Sequence, residues 1–136
     1  MLYDLILPKV SYLYAGIMGV FYFLLSANVI RLRTKLKVGI GHDNNPECPL
    51  FRAVRIHANF NEFVPFIILL MMMDEMTGRS AMFVHAFGLA LIVSRVSHFM
   101  AITKSHRGSN LRVFGASVTF SVMLVLSFLL IIKGLQ

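Results

Sequence analysis

The sequence has little of what a soluble protein of this size uses to fold. Its 136 residues include no tryptophan, one cysteine and 14% charged side chains, about half the charged share of an ordinary soluble domain. The single cysteine, Cys48, excludes an internal disulfide and any cysteine-based metal cluster. Apolar residues make up 57% of the chain, more than one small core can bury, so lipid must cover the excess.

Acidic residues are also scarce, with six against thirteen lysines and arginines and a formal net charge of +7. Such an excess can indicate nucleic-acid binding. Here, however, the basic residues stand at the ends of apolar runs, where they orient a membrane protein. We therefore expect no nucleic-acid partner.

Four apolar runs are long enough to cross a hydrocarbon core of about 30 Å, which takes roughly 20 helical residues. Their length and continuity favour α-helices over a β-barrel. The first run exceeds the apolar region of a secretory signal, so we expect a retained span. The sequence thus predicts one all-α membrane domain over residues 1–136, a four-transmembrane-helix bundle. The predicted helices are about 10–30, 50–73, 81–103 and 111–132.

The loops predict the orientation. Residues 31–49 and 104–110 are rich in lysine and arginine, whereas the turn over 74–80 has one arginine against two acidic residues. An excess of lysine and arginine marks the cytoplasmic side of a membrane. Both basic loops are therefore expected in the cytoplasm and both termini on the opposite side.

Polar residues lie inside the second and third spans, where an ionisable group costs roughly 2.5–3.5 kcal/mol. The third span contains Arg95 and His98, whereas His85 lies deeper and is expected to make a helix-packing hydrogen bond. His57 points away from the other polar residues of its helix, towards a neighbouring subunit or the headgroups. Spacings of three, four and three residues place four polar residues on a single face of the second helix. This polar stripe consists of Arg52, Arg55, Asn59 and Glu62.

Two interpretations of these charges are open at this point. Glu62 could form a buried ion pair with Arg55 or Arg95 that only fixes the helix register. Alternatively, three arginines against one glutamate leave positive charge near the cytoplasmic ends that requires an anionic ligand. A metal site is not expected, because the spans contain neither a His-x-x-His motif nor a pair of carboxylates.

The fourth span opens with Ser109-Asn110-Leu111-Arg112, which predicts a helix N-cap at Ser109 or Asn110. Backbone N–H groups, the positive end of the helix dipole and Arg112 would then meet at one point. Such a point favours a phosphate, a carboxylate or a thiolate. The simpler alternative is that Arg112 anchors the helix at the headgroups.

The segment RIHANFNEFVP, residues 55–65, resembles the second-helix signature of the MAPEG family, the membrane-associated proteins in eicosanoid and glutathione metabolism. Three further features agree with this resemblance. They are Arg31-Leu32-Arg33 at the end of the first span, Arg95-Val96-Ser97-His98 in the third, and Arg112 at the start of the fourth. The resemblance covers the whole chain, and the chain looks most like the short bacterial members related to microsomal glutathione transferases.

The resemblance implies a homotrimer in a bacterial inner membrane, with glutathione as co-substrate between adjacent subunits near the cytoplasmic face and no metal. A lipophilic electrophile or lipid would arrive from the bilayer. Arg112 would stabilise the glutathione thiolate and is the predicted catalytic residue. The positions that would hold glutathione are Arg31, Arg55, His57, Asn59, Glu62, Arg95 and His98.

Two positions differ from catalytic relatives, which often have a tyrosine one turn after the third-span histidine and, in some members, one after the glutamate. This chain has Ile102 and Phe63 there. The predicted function is a membrane-bound glutathione-dependent transferase or peroxidase that conjugates or reduces lipophilic electrophiles. One alternative is a non-catalytic lipid-binding or scaffolding membrane protein of the same fold. Another is a small transporter or channel that uses the polar stripe as a pathway.

Overall fold

A computed structural model describes residues 7–41, 44–104 and 109–136, and this part of the chain folds into four α-helices without a strand. Each helix has 24 to 28 residues, which corresponds to about 36–42 Å. All four are long and apolar enough to cross a membrane, as predicted. The helices are α1 (Lys9–Leu36), α2 (Pro49–Met76), α3 (Ala81–Lys104) and α4 (Asn110–Gly134).

Two helix ends lie beyond the predicted ones. Residues 31–36, assigned to a loop by their charge, continue α1 to Leu36, because they contain no glycine or proline and their basic side chains favour a helix C-terminus. Lys37 then ends the helix in a left-handed conformation, with φ of 55°. Helix α2 likewise extends through Asp74 and Glu75, which were predicted to lie in the turn.

The two acidic residues at the end of α2 have structural partners. The Glu75 carboxylate accepts hydrogen bonds from the backbone N–H groups of Val10 and Ser11, at 3.0 and 2.8 Å, and from Ser11 Oγ at 2.7 Å. Helix α1 has no side-chain cap of its own, so α2 supplies its N-terminal cap. Asp74 accepts two hydrogen bonds from Arg79, at 2.8 and 2.9 Å. The carboxylates at this end of the bundle are thus used by the fold.

Two glycines allow α3 to pack closely against its neighbours. A methyl group on Gly88 would collide with the ring of Tyr14 in α1. The Tyr14 hydroxyl donates to the backbone carbonyl of His85 and lies 3.1 Å from its Nδ1, so His85 makes the expected helix-packing hydrogen bond. A methyl group on Gly115 would lie 2.8 Å from the backbone oxygen of Ser94, so α4 and α3 are nearly in backbone contact there.

The core fills the space between the helices with apolar side chains such as Ile67, Met71, Leu91 and Leu126, which are fully buried. The outward faces of all four helices carry large exposed apolar side chains. In water this surface would aggregate, whereas in a bilayer it contacts lipid. The fold is therefore a membrane bundle with a thin core.

Candidate functional site

The alternating directions of the four helices bring both basic loops to one end of the bundle. We call it the basic end; it contains the C-terminal ends of α1 and α3 and the N-terminal ends of α2 and α4. A cavity of about 200 Å³ opens there between α2, α3 and α4, and we call it the polar cavity. It is lined by Pro46, Phe51, Arg52, Arg55, Asn59, His98, Ile102 and Arg112.

The polar stripe of α2 forms one wall of this cavity. Arg52, Arg55 and Asn59 line it together, as their spacing predicted. Glu62, one turn further along the stripe, is exposed and is not among the lining residues. Within the described part of the chain, the cavity wall therefore carries cations and no carboxylate.

Arg95 lies beside the cavity and is only 3% exposed. Its guanidinium donates to Asn59 Oδ1 at 3.0 Å, to Ser94 Oγ at 3.2 Å and to Thr119 Oγ1. These partners stand on α2, α3 and α4, so one side chain ties three helices together. Arg95 thereby fixes the position of Asn59 in the cavity wall.

The ion-pair interpretation does not hold within the described chain. Among the residues that the structure describes, the only salt bridge joins Arg79 to Asp74, at the end of the bundle opposite the cavity. Glu62 pairs with neither Arg55 nor Arg95, and the partners of Arg95 are neutral. The positive charge of the polar cavity is therefore not balanced by a carboxylate of the described chain.

His98 and Arg112 complete the wall on α3 and α4. His98 is 7% exposed, and its buried Nδ1 has no hydrogen-bond partner in the described part of the chain. Arg112 is exposed in the first turn of α4, where its backbone N–H donates to Ser109 Oγ at 3.3 Å. Ser109 is thus the N-cap of α4, one of the two residues predicted for it. His98 and Arg112 thus line the same small space, one buried and one exposed.

Two residues of the predicted set lie elsewhere in the subunit. His57 packs against α1, with its Nε2 3.0 Å from Ser26 Oγ and its ring stacked on Tyr22 at 4.8 Å between centroids. α1 of the same chain thus supplies both a hydroxyl and a ring to His57, which was expected to face a neighbouring subunit or the headgroups. Arg31 donates to Asn28 Oδ1 at 2.9 Å and lines a different cavity.

The structure also adds residues that the predicted site did not include. Arg52 belongs to the stripe, and its exposure to the cavity follows from the same spacing. Thr119 accepts a hydrogen bond from Arg95. In the sequence, the only indication of this role is that its hydroxyl lies seven residues, or two helical turns, after Arg112 and so on the same face of α4. Ile102 contributes an apolar side chain to the wall.

The model of the MAPEG family matches residues 11–132 of the chain, which include most of every helix. The chain belongs to the MAPEG family. Two curated relatives are both called Inner membrane protein YecN, one from Escherichia coli strain K12 and one from Escherichia coli O6:H1 strain CFT073. Each is 34% identical over 117 residues, which cover 86% of this MAPEG protein and 86% of the relative. The family resemblance of the segment RIHANFNEFVP is thereby confirmed, together with the four-helix membrane fold.

Proposed function

We propose that this MAPEG protein is a membrane-bound glutathione-dependent transferase or peroxidase that acts on lipophilic electrophiles. The observation that carries the proposal is the polar cavity, where Arg52, Arg55 and Arg112 line about 200 Å³ without a carboxylate among the described lining residues. A cleft lined by charge of one sign concentrates ions of the opposite sign, so three arginines around one small space favour an anionic ligand.

Glutathione matches the chemistry of this cavity. It has two carboxylates, and the planar guanidinium fork binds both oxygens of a carboxylate at once. His98 also lines the cavity and is the proposed partner for one more hydrogen bond. The single ammonium of glutathione requires an acidic partner, and the proposed partner is Glu62, which lies on the same stripe of α2 one turn beyond the lining residues.

Arg112 is the residue proposed to act on the sulfur. A free thiol has a pKa of about 8.5, and lowering it by roughly two units, so that thiolate predominates near neutral pH, takes about 3 kcal/mol. The Arg112 guanidinium and the positive end of the α4 dipole stand together at the cavity and favour the thiolate.

The proposed reactions follow from the nucleophile. In conjugation, the thiolate forms a carbon–sulfur bond with an electrophilic carbon, and the leaving group departs with its electron pair. In peroxide reduction, two glutathione molecules and one hydroperoxide give glutathione disulfide, an alcohol and water. The protein brings a water-soluble nucleophile to an electrophile dissolved in the membrane.

A homotrimer is part of the proposal because it explains the exposed charges. Arg55 and Glu62 are exposed on a membrane-spanning helix, where contact with lipid is costly. A neighbouring subunit over this face removes that cost and brings a second set of basic-end residues to the cavity. His57 is bound to α1 in its own subunit and serves helix packing in this arrangement.

The proposed location is a bacterial inner membrane, the location that the name of the two relatives gives for those proteins. The basic end then faces the cytoplasm by the charge of its loops. This orientation opens the polar cavity towards the compartment from which a soluble peptide arrives.

Calorimetric titration of the detergent-solubilised protein with glutathione tests the proposal. We expect Arg55→Ala and Glu62→Ala each to weaken binding by about tenfold, because each removes one charge-assisted contact. Lys35→Ala is the matched control, since it removes an exposed cation from the basic end that does not line the polar cavity. No binding, or equal affinity in all four proteins, would contradict the proposal.

Ile102 supports one alternative function. It lines the cavity where catalytic relatives often place a tyrosine hydroxyl, so a non-catalytic protein that binds a lipid or a partner is the second candidate. Turnover of a model aryl halide and of a lipid hydroperoxide in the presence of glutathione distinguishes the two. Glutathione binding without either turnover would favour the non-catalytic function.

A further inference from the structure

A second and larger cavity, of about 520 Å³, opens at the basic end between α1, α2 and α3. It lies on the other side of α2 from the polar cavity, and Arg52 lines both. Phe21 and Phe99, whose rings meet edge to face at 6.1 Å, both line it. We call it the amphipathic cavity.

The apolar and the polar lining residues of this cavity lie in different parts of it. Its inner part is apolar, with Phe21, Leu24 and Ile56 among its side chains, whereas Asn28, Arg31 and Arg52 contribute its polar groups. Among the residues that the structure describes, no aspartate or glutamate lines it. The shape and polarity are therefore those of an apolar slot with a cationic rim.

Both guanidinium groups at the rim keep donors available. Arg31 is exposed and donates one hydrogen bond to Asn28, at 2.9 Å. Arg52 donates one hydrogen bond to the backbone oxygen of Thr103, at 3.3 Å. A guanidinium has five N–H donors, so each retains a face for a carboxylate or phosphate.

The depth of the cavity fits one leaflet of a bilayer. Its lining on α1 runs from Phe21 to Leu32, which is about 16 Å of helix. Half of a hydrocarbon core of about 30 Å has nearly the same length. An acyl chain that starts at the basic end and lies along the slot would reach its inner end at the middle of the membrane.

We propose that the amphipathic cavity binds an anionic lipid, with the acyl chain in the slot and the headgroup on Arg31 and Arg52. The shared chemistry is a long acyl chain that carries one anionic group, supplied either by the phosphate of a phospholipid or by the carboxylate of a fatty acid. The site needs no glutathione and stands whether or not the polar cavity binds it.

The absence of tryptophan makes a direct test possible, because one introduced tryptophan is the only one in the chain. Leu24→Trp places it at the slot, on a side chain that is 57% exposed. Leu124→Trp is the matched reporter on α4, 55% exposed and at a similar depth from the basic end. Each protein is placed in phosphatidylcholine bilayers that contain a small share of a lipid with a brominated chain, which quenches nearby tryptophan.

At Leu24→Trp we expect each anionic brominated lipid to quench the tryptophan fluorescence at about tenfold lower mole fraction than its neutral counterpart. The two pairs are brominated phosphatidylglycerol with brominated phosphatidylcholine, and a brominated fatty acid with its methyl ester. Selectivity for phosphatidylglycerol over phosphatidylcholine identifies a phospholipid of net negative charge as the ligand, and selectivity for the fatty acid over its methyl ester identifies the carboxylate. At Leu124→Trp charged and neutral lipids should quench equally. Equal quenching by charged and neutral lipids at Leu24→Trp would overturn the proposal.

The chain without a reporter gives a second measurement. The selected anionic lipid should raise the midpoint of thermal unfolding in detergent, and its neutral counterpart should not. Arg52→Gln should abolish the rise, Arg52→Lys should retain part of it, and the exposed Lys35→Gln should leave it unchanged. If the rise in the midpoint survives Arg52→Gln, or if Lys35→Gln abolishes it equally, the lipid is attracted to the basic end in general. Either result would overturn the proposed site.

Discussion

At the scale of single residues, Arg95 joins the site to the fold. It is a buried guanidinium with neutral partners on three helices, and its contact with Asn59 positions one wall of the polar cavity. A buried charge is tolerated when its donors are satisfied. The loss of one of these partners should therefore lower the stability of the fold more than the loss of a surface hydroxyl or amide.

Thr119→Val tests this role, because valine keeps the shape of the side chain and removes the acceptor for Arg95. We expect a loss of about 1–3 kcal/mol in the free energy of unfolding, since a buried charged donor is left without its partner. Thermal unfolding in detergent measures the loss as a lower midpoint. Thr103→Val is the control, because that hydroxyl is exposed and bonds only to Phe99 in its own helix. Equal midpoints for the two variants would contradict the role of Thr119.

The sequence predicted much of the site at this scale. Helical spacing alone placed Arg55 and Asn59 on one face, and the structure puts both in the cavity wall. Spacing could not predict that His57 would stack on Tyr22, or that Thr119 would accept from Arg95. These contacts depend on which helices become neighbours, and that is a property of the folded bundle.

At the scale of helices, the basic end is shaped by the close approach of α3 and α4. Gly115 stands three residues after Arg112 and packs against the backbone at Ser94, one residue before Arg95. The distance between these helices therefore sets the distance between Arg112 and His98 across the cavity.

Gly115→Ala tests this packing. The added methyl group would lie 2.8 Å from the Ser94 backbone oxygen, so α4 has to move away from α3. We expect a loss of about 1–3 kcal/mol in stability and weaker glutathione binding, because overpacking shifts the backbone that carries Arg112. Gly16→Ala in α1 is the control, since that position has open space. If both variants unfold and bind alike, helix spacing does not shape the cavity.

Hydropathy predicted the existence and order of the helices, because runs of about 20 apolar residues have few other uses. It predicted two of the helix ends less well. Helix α1 extends to Leu36 through charged helix formers, and α2 extends to Met76 because Glu75 caps α1 and Asp74 binds Arg79. Helix ends depend on such caps from other parts of the chain, which a hydropathy window does not register.

At the scale of the whole molecule, the two ends of the bundle differ in how charge is used. At one end, Asp74 and Glu75 are bound by Arg79 and by the start of α1. At the other, the described lining of two cavities includes arginines and no carboxylate. The membrane fold and the family were predictable from composition and from the second-helix segment, and both are confirmed. The amphipathic cavity was not predictable, because it depends on the distance between α1 and α3.

The proposed orientation can be tested with Cys48, the only cysteine in the sequence, which is half-buried in the loop before α2. We expect a membrane-impermeant maleimide to label it after cell lysis and not in intact cells, because the basic loops are proposed to face the cytoplasm. Ser80→Cys in a Cys48→Ala background reports the opposite end and should be labelled in intact cells. The reversed pattern would invert the proposed topology.

The central claim is that the polar cavity holds glutathione as a thiolate, and the thiolate absorbance of glutathione mixed with purified protein tests it most directly. At pH 7 we expect an absorbance increase that saturates with glutathione in the unaltered protein and is lost in Arg112→Ala, while Lys35→Ala keeps it. An absorbance that does not rise, or one that is the same in Arg112→Ala, would contradict the claim.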